Sequence, residues 1–130
     1  MKTIEVEGML ADPAREAHAR TIQETVDDVA RFLFEVLGTR LTASLAGVRD
    51  PHQVRNWISG KNAPQPKVER RLRAAYQVFH LLQSVESPHV VRAWFIGMNP
   101  QLDDESPIDA LAADRLREVM AAATAFVAGG

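Results

Sequence analysis

The chain has 130 residues, of which 46% are hydrophobic and 25% charged, with no cysteine and a formal net charge of −2 at pH 7. This length allows one domain, or one domain plus a small appendage, with a real hydrophobic core, and the lack of cysteine excludes disulfides and thiolate metal sites. No apolar run reaches the about 18 residues of a membrane span and no signal peptide is recognisable, so we expect a cytoplasmic protein without a membrane partner.

The N-terminal residues 1–20 carry only weak signals and are assigned to an arm. Ile4 and Val6 alternate with charged residues, so this segment could form a short strand or an ordered arm. Asp12 and Pro13 could start a short helical turn.

The first strongly amphipathic helix is predicted to start at Thr21. Thr21 and Glu24 match a capping box, in which the side chains bond to the free N–H groups of the first turn. Gly38 ends this helix, and Phe32 and Phe34 lie off its apolar stripe, so they need a second burial surface. The stripe itself consists of Ile22, Val26, Val29, Leu33 and Val36.

The middle of the chain is predicted to form two short helices joined by a tight turn at Gly47. Asp50 can cap the second helix by accepting a hydrogen bond from the N–H of Gln53, and Gly60 can end it in the left-handed conformation. We interpret the pair as a helix-turn-helix, whose second helix would enter a major groove. The inward face of that helix carries Val54, Trp57 and Ile58.

Charge is distributed unevenly along the chain. Residues 1–40 have a net charge of −3, residues 41–83 of +5 and residues 84–130 of −4. Positive charge therefore coincides with the helix-turn-helix and the next helix, where phosphates would be met. The sequence leaves open which side chains of the second helix face bases. The candidate DNA-binding residues are Arg49, His52, Gln53, Arg55, Asn56, Lys61, Lys67, Arg70 and Arg71.

An amphipathic helix is predicted from Lys67 to Gln83, with cations crowded into its first half. Cations near a helix N-terminus are unfavourable by up to about 1 kcal/mol each, so their position suggests another use. Phosphate contact is favoured over simple solvation. The cations are Lys67, Arg70, Arg71 and Arg73, and the core face is Val68, Leu72, Ala75, Tyr76, Phe79 and Leu82.

Three shorter helical segments are predicted in the last third of the chain. Ser87 starts the first and Gly97 ends it, Ser106 opens a helical turn, and the last helix runs from about Asp114. The acidic run of residues 103–105 is interpreted as a solvated loop rather than a metal site, because no histidine lies near it. Both tryptophans, Trp57 and Trp94, are interpreted as core anchors.

Enzyme activity is not indicated by any motif. The sequence contains no P-loop, no glycine-rich dinucleotide fingerprint and no HExxH pattern. His52 stands with no serine or cysteine nucleophile in a recognised arrangement. We therefore assign no catalytic residue, metal or cofactor.

Three stretches resemble the Xre/MbcA/ParS-like antitoxins that accompany bacterial RES-domain toxins. VRNWISGKNAPQ (54–65) is similar to the family's V-x-x-W-x-x-G…P stretch. AWFIGMNPQLDDESPIDAL (93–111) is similar to its W-x-x…NP-x-L…P-x-x-L signature, and DRLREVMAAATAFVAGG resembles its final toxin-contacting helix. The resemblance covers roughly residues 40–130, and the paired order of the first two motifs is what makes it specific.

The resemblance implies an all-α protein with an Xre-like helix-turn-helix unit over residues 21–83 and a small toxin-binding unit over residues 84–130. The first would bind operator DNA and repress the protein's own operon, as a homodimer or within a larger toxin–antitoxin assembly. The second would block the active site of a cognate RES-domain toxin that consumes NAD. The toxin-binding residues implied by this resemblance are Trp94, Asn99, Pro100, Leu102, Pro107, Leu111, Phe126, Val127, Gly129 and Gly130.

A different class of function remains open at this point. The chain could be a stand-alone transcriptional regulator whose C-terminal helices only make it a dimer. An all-α interaction module without DNA binding is a third interpretation. The acidic C-terminal third favours the antitoxin, since a cleft that binds a dinucleotide needs positive potential.

Overall fold

The computed structural model describes residues 12–129, apart from the side chains of residues 22 and 23, and this part of the chain is all helical with no strand. The predicted all-α class is thus confirmed there, whereas Ile4, Val6 and Gly130 lie outside the described residues. The helices are α1 (Pro13–Gln23), α2 (Val26–Leu37), α3 (Thr39–Ala46), α4 (His52–Ser59), α5 (Pro66–Gln83), α6 (Pro88–Ile96), α7 (Pro107–Ala112) and α8 (Leu116–Val127), with a 3₁₀ helix at Pro100–Leu102.

Helix α5 is the centre of the fold. α1, α2, α3 and α8 all pack against it. Its predicted core residues Leu72, Phe79 and Leu82 are fully buried, and burial of a side chain of this kind stabilises a fold by about 1.5–3 kcal/mol. Because α3 also packs against α7, one continuous core joins the middle of the chain to its last third.

Local signals in the sequence place several helix ends correctly. Ser87 caps α6 by accepting a hydrogen bond from the N–H of Val90, and Ser106 caps α7 in the same way. Gly47 ends α3 and Gly60 ends α4, both in the left-handed conformation at φ 77°.

The capping box predicted at Thr21 is wrong. Thr21 lies inside α1, where it is buried and donates a hydrogen bond to a carbonyl one turn earlier. Thr25 caps α2 instead, by accepting from the N–H of Asp28. Arg73 of α5 donates to the carbonyls of Thr21 and Glu24, at 2.8 and 3.0 Å, and so satisfies the end of α1. The expected boundary between arm and domain therefore falls inside a packed helix.

Two other helix starts differ from the prediction. The carboxylate of Asp50 accepts from the N–H of His52, at 2.9 Å, whereas the N–H of Gln53 bonds to the backbone carbonyl of Asp50. Helix α8 begins at Leu116 rather than near Asp114, because Asp114 adopts a left-handed turn conformation with φ 64°.

Phe32 finds the second burial surface that its position requires. Its ring meets those of Tyr76 and Phe79 edge-on, with centroids 5.1 and 5.4 Å away, and stacks on His80 at 4.5 Å. His80 accepts a hydrogen bond from Arg20 at Nδ1, while its buried Nε2 has no partner among the described residues. Burial, and then the charge of Arg20, lower the pKa of His80 to about 4.

Candidate nucleic-acid interface and C-terminal groove

Helix α4 is held against the core by one face. Val54 and Trp57 are buried, and Ile58 is half-buried, as the sequence predicts. At the turn before α4, the N–H groups of Gly47 and Val48 bond back to carbonyls at the end of α3. The buried face and the hydrogen-bonded turn together hold α4 in place, so its opposite face is exposed to solvent.

That outer face carries four polar side chains at positions i, i+3, i+4 and i+7. His52, Arg55 and Ser59 are exposed, and Asn56 is half-buried. The Asn56 amide has no side-chain hydrogen bond to another described residue. The Arg55 guanidinium carbon lies 6.0 Å from the centre of the Phe34 ring. Hydrogen-bond donors and acceptors of this kind can reach base edges in a major groove.

Unpaired cations concentrate around this helix. Among residues 12–129, nine cations lie within 4.0 Å of no described carboxylate. Three of them, Arg20, Arg92 and Arg117, lie in other parts of the chain, and the other six fall between residues 40 and 70. They are Arg40, Arg49, Arg55, Lys61, Lys67 and Arg70.

Three of these cations line depressions beside α4. Arg49, Gln53 and Lys67 line a cleft of about 610 Å³ between the turn, α4 and the start of α5. Arg55 lies on the other flank, in a smaller depression of about 320 Å³ that it shares with Phe34, Arg31 and the acidic Glu35. The structure thus brings four of the predicted DNA-binding residues together, since Arg71 also lines this cleft, and places Arg55 apart from them.

Arg71 does not belong to the set available to phosphates, which corrects the sequence prediction. It is only 8% exposed, and its guanidinium donates to both carboxylate oxygens of Asp114, at 2.8 and 2.9 Å, and to the carbonyl of Ala46 at 2.8 Å. The bonds to Asp114 raise the pKa of Arg71 and lower that of Asp114. Arg71 therefore joins the end of α3 to the link between α7 and α8.

A groove at the C-terminal end of the molecule collects part of the predicted toxin-binding set. It measures about 340 Å³. Met98 at its edge is 80% exposed, and the Asn99 carboxamide accepts from the N–H of Gln101 at 2.9 Å, which fixes the turn. Trp94 is half-buried here rather than a full core anchor. The lining residues are Trp94, Met98, Asn99, Pro100, Gln101, Ala122 and Phe126.

Three residues of the predicted toxin-binding set are core residues instead. Leu102 and Leu111 are fully buried and Pro107 is buried as well, so none of them presents a surface to a partner. Their apolar side chains belong to the core beneath the turn. Val127 is half-buried and Gly129 is exposed, so these two remain accessible.

The acidic run of residues 103–105 is a solvent-exposed loop, as the sequence predicts, and Arg115 pairs with two of its side chains. The Arg115 guanidinium donates to Glu105 at 2.7 Å, to Asp103 at 3.2 Å and to Glu118 at 2.7 Å. These bonds, that to Glu118 first, raise the pKa of Arg115. Asp103 and Asp104 both adopt positive φ angles, so the loop turns tightly around this cation. An arginine in an otherwise acidic segment was the available sequence signal for this cluster.

Other classes of site find no support in the described part of the chain. Residues 12–129 contain no group of three or more His, Asp or Glu side chains that could hold a metal ion. Within the same residues, no helix combines the length and apolarity needed to cross a membrane. Comparison of the chain with protein-family models, with curated proteins and with solved structures finds no match.

Proposed function

We propose that this chain is a DNA-binding antitoxin of the Xre/MbcA/ParS-like kind, with α3 and α4 acting as a helix-turn-helix. The observation that carries the DNA-binding half is the outer polar face of α4 beside a cleft that the unpaired cations Arg49 and Lys67 line. A duplex offers phosphates along the edge of its major groove, so positive charge beside an inserted helix stabilises binding.

The burial pattern of α4 supports the same half of the proposal. Val54 and Trp57 fix the helix to the core, while the outer side chains Arg55 and Asn56 make no ion pair or side-chain hydrogen bond to another described residue. Side chains without partners in the free protein break no internal bond when they bind a ligand. The net charge of −2 does not oppose DNA binding, since the negative charge lies mostly outside this surface.

The toxin-binding half rests on the family resemblance together with the C-terminal groove. Trp94, Asn99, Pro100 and Phe126 come from both family-like motifs of the last third and line one surface. Exposed apolar side chains beside an aromatic residue are typical of a protein-binding site. Met98, 80% exposed, is such a side chain. The partner proposed for this groove is a RES-domain toxin in the bacterial cytoplasm.

The DNA-binding half is tested with the DNA upstream of the chain's own reading frame. Fluorescence anisotropy of a labelled duplex should show tight binding that weakens linearly with the logarithm of salt concentration. A Lys67→Gln, Arg70→Gln variant should reduce the slope by about 0.9 for each phosphate that the protein no longer neutralises. Arg92→Gln, which changes an exposed cation on α6, is the matched control and should leave the slope unchanged. Binding that is indifferent to salt would contradict the proposal.

The toxin-binding half is tested by co-expression with the product of the adjacent reading frame. The antitoxin proposal expects a RES-domain protein there, a stable complex by native mass measurement, and rescue of growth. Met98→Glu should weaken the complex without unfolding the protein. If the adjacent frame encodes no such toxin and the groove instead mediates a homodimer, the chain is a stand-alone regulator.

A further inference from the structure

The division of labour among the polar side chains around α4 can be assigned from their positions. Resting on the proposed DNA binding, we infer that Arg55 and Asn56 read base edges, whereas Arg49 and Lys67 contact backbone phosphates. The sequence alone left this division open. The assignment gives each residue a different signature in binding experiments.

Arg55 and Asn56 lie on the face of α4 that points away from the core. Val54 and Trp57 are buried on the inward face of the helix. Arg55 and Asn56, which lie between them in sequence, therefore project from the other side. An arginine can bond to both acceptors of guanine in the major groove, and an asparagine can bond in the same two-point manner to adenine. Neither side chain is held by a carboxylate among the described residues, so both are available for such contacts.

Arg55 also lies over an aromatic ring. Its guanidinium lies 6.0 Å from the centre of the Phe34 ring, and Phe34 is itself half-buried in α2. A cation beside an aromatic face is attracted weakly, which restricts its rotamers without occupying its donors. A planar fork suits two-point recognition of a base, for which lysine is a poor substitute.

Arg49 and Lys67 are placed differently. Arg49 lies in the turn before α4 and Lys67 lies in the first turn of α5, and both line one cleft. Gln53 and the buried Trp57 also line this cleft, so its cations lie beside the reading face rather than on it. Flexible exposed cations at the edge of a recognition helix can follow phosphates, but they carry no sequence information.

The test compares charge-conserving and charge-removing substitutions on two duplexes. One duplex is selected by the wild-type protein from a random pool, and the other is a shuffled sequence of the same composition. Arg55→Lys keeps the charge and removes the fork, Asn56→Ala removes the amide, and Lys67→Gln and Arg49→Gln remove charge. Thermal melting confirms that each variant is folded, which is expected because Arg49, Arg55 and Lys67 are exposed and Asn56 is only half-buried.

Opposite patterns are expected for the two groups. Arg55→Lys and Asn56→Ala should each weaken the selected duplex by about 5-fold to about 150-fold, change the shuffled duplex by less than about 2-fold, and relax a guanine or an adenine position in a repeated selection. Lys67→Gln and Arg49→Gln should weaken both duplexes alike and lower the salt slope by about 0.9 each. Lys67→Arg should restore the slope.

Failure of the inference is distinguishable from failure of the proposed function. If the wild type binds no duplex at all, both fall together. If it binds the selected duplex but Arg55→Lys weakens both duplexes equally, or Lys67→Gln relaxes a base position, the assignment of reading and phosphate roles is wrong while DNA binding stands. Equal wild-type affinity for both duplexes would likewise overturn the inference alone.

Discussion

Gly47 and Gly60 form a matched pair for testing how tightly the turn before α4 is locked. Both end a short helix with φ 77°, so an alanine at either position introduces the same backbone strain. A Cβ at Gly60 would meet nothing within 4 Å, whereas a Cβ at Gly47 would lie 2.5 Å from Nη1 of Arg71. Only the substitution at Gly47 therefore disturbs the buried guanidinium of Arg71.

The expected magnitudes follow from this geometry. Forcing alanine into the left-handed region costs about 1 kcal/mol at either site. At Gly47 the displaced Nη1 also loses its bond to the carbonyl of Ala46, and a hydrogen bond from a charged group contributes about 2 kcal/mol. Gly60→Ala should thus cost about 1 kcal/mol and Gly47→Ala about 3 kcal/mol. For 130 residues this corresponds to Tm decreases of about 4 °C and about 11 °C.

Thermal and urea unfolding followed by circular dichroism measure both values. The same pair of substitutions in an Arg71→Met background supplies the control, because the crowded guanidinium is then absent. There the two glycine substitutions should have nearly equal effects, close to about 1 kcal/mol each. If Gly47→Ala lowers the free energy of unfolding no more than Gly60→Ala does in the wild-type background, the Arg71 side chain moves aside at no energetic cost. Arg71 then does not hold the turn in place.

Three further outcomes follow from individual side chains. Because burial lowers the pKa of His80 from 6.5 to about 4, the unfolded chain binds a proton that the folded chain excludes between these values, so stability should fall by up to about 3 kcal/mol from pH 6.5 to pH 4. Urea midpoints of His80→Phe should lack most of this decline. The bonds from Arg71 hold the pKa of Asp114 below 3.8, so the stabilising effect of Asp114 is present above that pH and lost as the pH falls through its folded value. Asp114→Asn should therefore lower Tm at neutral pH and approach the wild type in acid; equal differences at both pH values would contradict this. Met98→Glu, at an 80% exposed position, should leave Tm unchanged but weaken toxin binding about tenfold in calorimetry, and an unchanged affinity would remove the groove from the interface.

Most helix ends are predictable because their signals are local. Ser87, Ser106, Gly47 and Gly60 each act on backbone groups within a few residues, and such short-range patterns are visible in the sequence. Likewise, apolar spacing alone identifies the core face of α5.

Competition between similar signals explains the error at Thr21. Thr21 and Thr25 each stand three residues before an acidic side chain, so both match a cap. A distant residue, Arg73, determines which threonine acts as the cap. Its bonds to the carbonyls of Thr21 and Glu24 end α1, and Thr25 then caps the next helix. No short window of sequence contains that interaction.

The candidate sites show the same limit. Arg70 and Arg71 are neighbours that look alike in sequence. Arg71 is buried and bonds to Asp114, 43 positions further along the chain, whereas Arg70 is exposed. Charge counting treats them alike because it ignores the direction of each side chain. Leu102 and Leu111 fail as contact residues for a related reason, since a motif position does not say whether its side chain points into the core.

The central claim, that the outer face of α4 and its flanking cations contact DNA, is tested most directly by NMR titration of the ¹⁵N-labelled protein with the duplex from upstream of its gene. Binding through α4 predicts that amide shifts concentrate in the turn after α3, in α4 and in the first turn of α5, while the groove between α6 and α8 stays unchanged. Shifts confined to that groove would contradict this claim. So would the absence of any shifts at low salt with the duplex in excess over the protein.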